Sequence, residues 1–210
     1  MTEHRMSGPR VAAVLLDMDG VIRHWAGTDR AAEEAGGLPP GTIARYAFDV
    51  PEYAASQIGG ATYAEWVSGL ERVLTPEFGA DCARRAAAEW ALGRGDIDAE
   101  MVGLIKKVRA QVPVGLLSNA TDRLSEDLEH HGLHEAFDVV LSSAQLRMAK
   151  PDPAIFRHAA QALGQQPQAC FFADDLVENV EGARSTGMRA AVFTSREQLE
   201  GELVDLGIEL

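Results

Sequence analysis

Polar side chains that could work together in acid–base and metal-dependent chemistry follow several short apolar runs of the chain. They are Asp17 with Asp19, Ser118 with Asn119, Lys150, and Asp174 with Asp175. Carboxylates gathered at one place repel one another unless a cation lies among them, and oxygen ligands with open water positions favour Mg2+. A lysine and a hydroxyl beside that cation would hold a phosphoryl group. These residue types therefore predict a Mg2+ and phosphate site, provided that the fold brings them together.

The apolar runs that precede these clusters are typical of strands in a parallel sheet, because they are apolar almost without interruption. The predicted strands span residues 11–16, 114–117, 138–141, 169–173 and 189–193. The carboxyl ends of parallel strands meet at one edge of the sheet. Gly20 would let the chain turn just after the first strand, so that Asp17 and Asp19 can serve one site.

Helices are predicted between the later strands from their end signals. Asp98 is a suitable N-cap for a helix that ends near Ala110, and Asp152 with Pro153 begins another. Gly132 and Gly187 are placed to end helices. Strands that alternate with helices predict an α/β fold, a Rossmann-like doubly wound parallel sheet.

The first connection is too long for a simple crossover, which needs only about a dozen residues. We expect residues 23–98 to form an inserted helical cap, and residues 1–22 and 99–210 to form the core domain. Thr62 and Glu65 predict a capping box, and Thr75 with Pro76 predicts the start of a further helix. A cap inserted at this point would lie over the site as a lid.

Composition narrows the possible partners and the location. The net charge of −13 argues against partners that need clustered positive charge, so we expect no nucleic acid and no membrane. No apolar run is long enough to span a bilayer, and the first ten residues lack a secretory apolar segment. Two cysteines, Cys82 and Cys170, are too few for a disulfide framework. We expect a cytoplasmic protein, whose oligomeric state the sequence does not predict.

Four motifs in this order resemble those of the haloacid dehalogenase (HAD) superfamily. The motifs are DMDGV at 17–21, LLSNA at 116–120, KPDPAIF at 150–156 and FFADD at 171–175. Each is weak alone, but together in order they are specific, and the resemblance extends over nearly the whole chain. The position of the cap resembles the C1-capped branch, which includes sugar-phosphate phosphatases and the phosphatase domain of soluble epoxide hydrolase.

The resemblance implies a Mg2+-dependent phosphatase that hydrolyses a small phosphorylated metabolite. Asp17 would be the nucleophile and Asp19 the general acid and base. The resemblance further assigns the metal to Asp17, the backbone carbonyl of Asp19 and Asp174, and the phosphate to Ser118, Asn119 and Lys150. Asp175 and Asn179 would support these ligands from behind.

Other functions and other contacts stay open at this point. A phosphosugar mutase, a 2-haloacid dehalogenase and a non-catalytic HAD-like binding module are the alternatives, although dehalogenases lack an acid at the position of Asp19. His24 and Trp25 lead into the cap and could contact substrate, while Trp25 could equally pack in the cap core. The side chains Arg45, Tyr46, Phe48, Tyr53 and Gln57 could line the inner face of the cap.

Overall fold

The computed structural model describes residues 11–210, so the prediction about the first ten residues lies outside the described part. The strands are β1 (Ala13–Leu16), β2 (Arg23–His24), β3 (Asp96–Ile97), β4 (Val114–Ser118), β5 (Val139–Ser142), β6 (Cys170–Asp174) and β7 (Arg189–Val192). The helices are α1 (Thr28–Gly36), α2 (Thr42–Tyr46), α3 (Pro51–Ser56), α4 (Tyr63–Phe78), α5 (Ala80–Leu92), α6 (Ala99–Arg109), α7 (Leu124–His130), α8 (Ser143–Leu146), α9 (Pro153–Ala162), α10 (Val177–Arg184) and α11 (Arg196–Asp205).

The larger sheet has five strands in the order β5-β4-β1-β6-β7, and every pair in it is parallel. Along the chain, β4 and β5 are added on one side of β1, and β6 and β7 are then added on its other side. This reversal defines a doubly wound sheet, whose ligand crevice lies outside the carboxyl ends of the strands. The predicted fold class is confirmed.

Both faces of this sheet are covered by helices, as the apolar strands require. Alternate residues of β1 enter different clusters, with Val14 and Leu16 facing α6, α7 and α11. Ala13 and Leu15 face the opposite way, toward α9 and α10. This period of two follows from the pleat of a strand, and burial on both faces explains the continuous apolar runs.

The predicted helix ends are confirmed where side chains or glycine fix them. The Asp98 carboxylate accepts hydrogen bonds from the N–H groups of Glu100 and Met101, at 2.8 and 3.1 Å, at the start of α6. Asp152 accepts from the N–H of Ala154 at the start of α9. Gly132 and Gly187 follow α7 and α10 with positive φ angles of 66° and 86°.

The long first connection contains helices α1 to α5, which pack on a third apolar cluster built around Leu70, Leu74, Trp66 and Trp90. The short strands β2 and β3 pair antiparallel where this segment leaves and rejoins the core. The predicted domain limits, at residues 22/23 and 98/99, stay a prediction. The pairing of Arg23 with Ile97 and of His24 with Asp96 places both connections side by side.

The expected helix start at Thr75 and Pro76 is wrong. Helix α4 begins at the predicted capping box of Thr62 and Glu65 and continues through Pro76 to Phe78. The N–H of Gly79 still donates to the carbonyl of Thr75, at 2.9 Å, so the helix passes the proline. Gly79 ends it with a φ of 82°, and α5 begins at Ala80. Burial of Leu70 and Leu74 stabilises α4, and this offsets the cost of the backbone hydrogen bond that Pro76 cannot donate.

No helix in the described residues is both long enough and apolar enough to cross a membrane. The two cysteines are free: Cys82 is half-buried in α5, and Cys170 is buried at the start of β6.

Candidate functional site

The candidate site lies at the carboxyl edge of the sheet, where β1 meets its neighbours. Leu16, the last residue of β1, is paired in register with Ala173 of β6, and the N–H of Asp17 donates to the carbonyl of Ala173 at 3.0 Å. Asp17 and Asp174 are therefore adjacent. Ser118 ends the neighbouring strand β4 on the other side of β1.

A tight turn follows Asp17. The N–H groups of Ile22 and Arg23 donate to the carbonyl of Met18, and the N–H of Gly20 donates to the carbonyl of Arg23. Gly20 has a φ of 82°, and a Cβ there would collide with the carboxylate of Asp175. The predicted role of Gly20 in the turn is confirmed, and its missing side chain also leaves room for Asp175.

Lys150 is buried between two carboxylates of the site. Its Nζ lies 2.7 Å from Oδ1 of Asp17 and 2.6 Å from Oδ2 of Asp174. The side-chain amide of Asn119 holds the backbone of Lys150 from both sides, accepting from its N–H and donating to its carbonyl, at 2.8 and 2.9 Å. Asn119 thus positions Lys150, and this role is separate from the phosphate contact that the sequence predicts for Asn119.

Asp174 is held by further donors besides Lys150. The side-chain amide of Asn179 donates to both carboxylate oxygens, at 2.9 and 3.1 Å, and the N–H of Leu176 donates to Oδ1 at 2.9 Å. Asn179 is buried in α10. It therefore lies behind Asp174, where the sequence placed it as a supporting residue.

Burial controls the protonation of this group. It raises the pKa of Asp17 to about 7, while Lys150 opposes the rise and the charge of Asp174 adds to it. Burial alone would lower the pKa of Lys150, but Asp17 and Asp174 outweigh it, so the lysine pKa is raised. Burial, together with the charge of Asp174, raises the pKa of Asp175. The carboxylates carry more negative charge than one lysine neutralises.

These carboxylates fit a bound cation. Asp17, Asp174 and Asp175 each offer an oxygen, and the three oxygens lie within 4.8 Å of one another. Oxygen ligands at this spacing suit a hard divalent cation, which would take the place of the proton on Asp17. The sequence placed Asp175 behind the ligands, whereas the structure brings its carboxylate into the same group. The metal roles of Asp17, the Asp19 carbonyl and Asp174 stay predictions.

The side-chain hydroxyl of Ser118 is a possible ligand contact. It is buried at the wall of the site cavity and has no hydrogen-bond partner within the described residues. A buried hydroxyl without a partner is costly, so the group is available for a ligand oxygen. A phosphoryl oxygen fits this donor.

Asp19 is not part of the group formed by Asp17, Asp174 and Asp175, although it lines the same cavity. Arg23 donates to both of its oxygens, at 2.7 and 3.1 Å, and the indole N–H of Trp25 donates at 2.7 Å. Arg23 also donates to the buried Asp127 at 2.8 Å. Arg94 and Arg123 donate to Asp127 as well. Reasoning from the sequence missed this network, because Asp127 is distant in sequence from Arg23 and no motif links them.

A cavity of about 520 Å³ separates the site from the inserted helices. Among the suggested cap residues, Trp25, Phe48, Tyr53 and Gln57 line it. His24 is exposed in β2, and neither His24 nor Arg45 nor Tyr46 is part of the lining. Tyr46 instead donates to Glu77 on α4, at 2.5 Å. Tyr63 and Trp90 also line the cavity, and no sequence motif pointed to either of them.

A family model described as haloacid dehalogenase-like hydrolase matches residues 11–187. A curated relative, Phosphatase MT3486 of Mycobacterium tuberculosis, is 32% identical over 220 residues, which cover 93% of this chain and 94% of the relative. Bifunctional epoxide hydrolase 2 of Mus musculus is 26% identical over 85% of this chain but only 35% of that protein. The chain belongs to the haloacid dehalogenase-like hydrolase family and is an enzyme of that class.

Solved structures share the fold at low sequence identity. A HAD family enzyme of Bacteroides thetaiotaomicron, solved as a magnesium complex, matches with a TM-score of 0.71 and 23% identity. The match covers 91% of this chain and 98% of that one. L-2-haloacid dehalogenase of Xanthobacter autotrophicus matches with a TM-score of 0.64 and 22% identity over 95% and 84% of the two chains. Both likenesses support the architecture described above.

Proposed function

We propose that this enzyme is a Mg2+-dependent phosphatase that hydrolyses a small organic phosphate monoester. The observation that carries the proposal is the position of Lys150, which lies between Asp17 and Asp174 while Asp19 stands two residues away on the turn. The partnerless hydroxyl of Ser118 supports the phosphate assignment. A relative that matches nearly the full chain is named a phosphatase, which supports the same reaction class.

In the first step, a carboxylate oxygen of Asp17 attacks phosphorus and the bond from phosphorus to the alcohol oxygen breaks. Asp19 gives its proton to the departing alcohol, so that the alcohol leaves neutral. Lys150 and the Ser118 hydroxyl hold the phosphoryl oxygens during the transfer. The product of this step is a phosphoaspartyl group on Asp17.

In the second step, water hydrolyses that group. Asp19, now a carboxylate, removes a proton from water, and the oxygen of that water attacks phosphorus. The bond from phosphorus to Asp17 breaks, and inorganic phosphate leaves. Asp19 is thereby returned to its protonated form, and both carboxyl groups are ready for the next ester.

The carboxylate group would hold Mg2+ through Asp17 and Asp174, with the backbone carbonyl of Asp19 as a further oxygen ligand. When bound, Mg2+ would neutralise negative charge on the phosphoryl oxygens and keep Asp17 deprotonated. Asp175 lies close enough to join these ligands or to hold a water beside them. Asn179 orients Asp174 through its two hydrogen bonds.

The proposal also includes the partner of the enzyme, its location and the role of its inserted helices. Its partner would be a small phosphorylated metabolite and neither nucleic acid nor a membrane, given the net charge of −13. We propose a cytoplasmic location on the basis of the two free thiols. Residues 23–98 would act as the cap that covers the site, since α1 to α5 pack on an apolar cluster of their own.

The test is hydrolysis of p-nitrophenyl phosphate by the purified protein with Mg2+ present and with Mg2+ removed by chelation. We expect turnover that depends on Mg2+ and that Asp17→Asn abolishes. A variant outside the cavity lining, Glu197→Gln, whose side chain is exposed at the start of α11, should retain full activity. Undiminished turnover in Asp17→Asn would refute the mechanism. Release of halide from a 2-haloacid without metal, or transfer of phosphate within a sugar, would identify the other reaction classes.

A further inference from the structure

The wall of the site cavity contributed by the insertion is built from aromatic rings in mutual contact. We call the rings of Phe48, Tyr53, Tyr63, Trp66 and Trp90 the aromatic wall, and all five line the cavity. Ring centroids lie 5.2 Å apart for Phe48 and Tyr53, 4.9 Å for Tyr53 and Trp66, and 4.8 Å for Trp66 and Trp90. Tyr63 lies 5.8 Å from Trp66 and 6.1 Å from Trp90. The rings form one continuous surface.

The indole N–H groups of the tryptophans at the cavity already donate hydrogen bonds within the protein. The indole N–H of Trp66 donates to the carbonyl of Ala47 at 2.6 Å, and that of Trp90 donates to Asp29 at 3.1 Å. The indole N–H of Trp25, at the cavity mouth, donates to Asp19. These residues therefore present carbon surface to a ligand.

Part of this surface is open to water in the structure. Trp66 and Trp90 are 7% and 6% exposed, so they form a fixed floor. Phe48 is 51% exposed and Trp25 is 42% exposed, and both line the cavity. Covering such rings with an apolar group removes their surface from water, which favours binding of a ligand with a large apolar body.

The charges at the cavity argue against a second charged group on the ligand. Arg23 is paired with Asp19 and Asp127, and Arg123 is paired with Asp127 while its guanidinium lies 4.0 Å above the Tyr63 ring. A second phosphate on the ligand would have to compete with Asp19 and Asp127 for Arg23 and Arg123, whose charges these carboxylates already neutralise. At the rings of Tyr63 and Trp25, a cationic ligand group would meet Arg123 and Arg23, which already lie over those rings at 4.0 and 4.5 Å.

We infer that the preferred substrate is the phosphate monoester of a neutral aromatic alcohol, with the phosphate as its only charged group. The inference rests on the proposed function, because it assumes that the phosphate is held at Asp17 and Lys150. The alcohol then extends from the phosphate into the cavity, and its ring packs against the aromatic wall. Trp25 and Phe48 cover the ring from the cavity mouth.

The first experiment compares primary alkyl and arylmethyl phosphates, whose alcohols leave with similar difficulty. We expect kcat/KM to rise from n-propyl to benzyl to 2-naphthylmethyl phosphate, by about tenfold over the series, as apolar pockets discriminate ligands of different size. Phosphocholine and fructose 1,6-bisphosphate test the charged alternatives. A kcat/KM for either of them above that for benzyl phosphate would overturn the inference, as would equal values for the propyl and naphthylmethyl esters.

A matched pair of variants tests whether the aromatic wall is the cause. Phe48→Ala should lower kcat/KM for 2-naphthylmethyl phosphate several-fold more than for n-propyl phosphate. Val204→Ala removes an equally exposed apolar side chain, 54% exposed in α11, and should leave both values unchanged. Equal losses on both substrates in Phe48→Ala would refute a role of the wall in substrate choice.

A binding measurement separates this inference from the proposed function. The non-hydrolysable 2-naphthylmethylphosphonate should bind in the presence of Mg2+ about tenfold more tightly than n-propylphosphonate, measured by calorimetry. If no ester were hydrolysed but this difference in affinity appeared, the proposed reaction would fail and the cavity preference would stand. Equal affinities would overturn the preference whether or not the esters were hydrolysed.

Discussion

The indole N–H of Trp25 donates a hydrogen bond of 2.7 Å to Oδ1 of Asp19. Arg23 holds the same carboxylate through both of its oxygens, and its guanidinium lies 4.5 Å from the centroid of the Trp25 ring. Trp25 and Arg23 both belong to the first connection between the sheet and the inserted helices. The position of the proposed general acid is therefore set by the chain segment that enters the insertion.

Trp25→Phe tests this arrangement, because it keeps a ring at the cavity mouth and removes only the N–H donor. We expect kcat for n-propyl phosphate to fall by about three- to tenfold, the effect of losing one hydrogen bond to a charged group. p-Nitrophenyl phosphate should lose less, since its leaving group needs little protonation. Steady-state kinetics on both substrates measures the ratio, and equal losses would show that Trp25 does not act through Asp19.

Much of the fold could be predicted from the sequence, because its signals are local. Continuous apolar runs predicted the strands of the large sheet, and polar residues at the strand ends predicted Asp17, Ser118 and Asp174 at one edge. The capping signals at Thr62 and Asp98 also gave correct helix starts. These features depend on residues that are near one another in sequence.

The remaining features depend on tertiary contacts that no local pattern carries. Asp127 contacts Arg23 across 104 positions of sequence, and Asn119 contacts the backbone of Lys150 across 31. Pro76 is a helix breaker by its local chemistry, yet packing of α4 keeps it within the helix. Trp66 belongs to a buried apolar cluster and also lines the cavity, and this double role depends on the packing of several helices.

Asp127 should be important for stability, because it is buried among arginines from separate parts of the chain. Its carboxylate accepts from Arg23, Arg94 and Arg123 at 2.8, 2.6 and 3.0 Å. Asp127→Ala would remove the carboxylate that these three arginines share, which leaves the buried Arg123 without an acidic partner and leaves Arg23 and Arg94 with one each among the described residues. We expect a loss of about 3–5 kcal/mol in the free energy of unfolding, measured with urea.

Glu126→Gln provides the control for Asp127, since Glu126 pairs with the same Arg94 but its side chain is 64% exposed. Exposed ion pairs contribute little, so we expect this variant to lose less than about 1 kcal/mol. Similar losses in Asp127→Ala and Glu126→Gln would contradict the view that burial makes the Asp127 network important.

The two cysteines should differ strongly in reactivity. Cys170 is fully buried, and burial raises the pKa of its thiol to about 11, whereas Cys82 is half-buried on α5. At pH 8, Ellman's reagent should therefore modify Cys82 in the folded protein and Cys170 only after unfolding in urea. In Cys82→Ser we expect no rapid reaction, and in Cys170→Ser an unchanged one. Rapid modification of the folded Cys82→Ser variant would refute the burial argument.

The pH dependence of stability should report the buried state of Asp17. In chelator, burial holds the pKa of Asp17 at about 7 in the folded protein, against 3.8 as its ordinary value. Between these values the folded state binds more protons than the unfolded state, so this residue makes stability fall as pH rises from about 4 to about 7. Its share of the slope is at most about 1.4 kcal/mol per pH unit. Urea unfolding across this range measures the slope.

Asp17→Asn carries no titrating proton at this position, so its slope over the same range should be shallower than that of the parent protein. The difference between the two slopes reports Asp17 together with its coupling to Lys150 and Asp174, since the more distant carboxylates are common to both proteins. Mg2+ should reduce the fall in the parent protein, because a cation at the carboxylates favours the deprotonated form of Asp17. It should have a smaller effect on the slope of Asp17→Asn. Parallel slopes in chelator would show that Asp17 is already ionised in the folded protein over this range, and that Lys150 outweighs its burial.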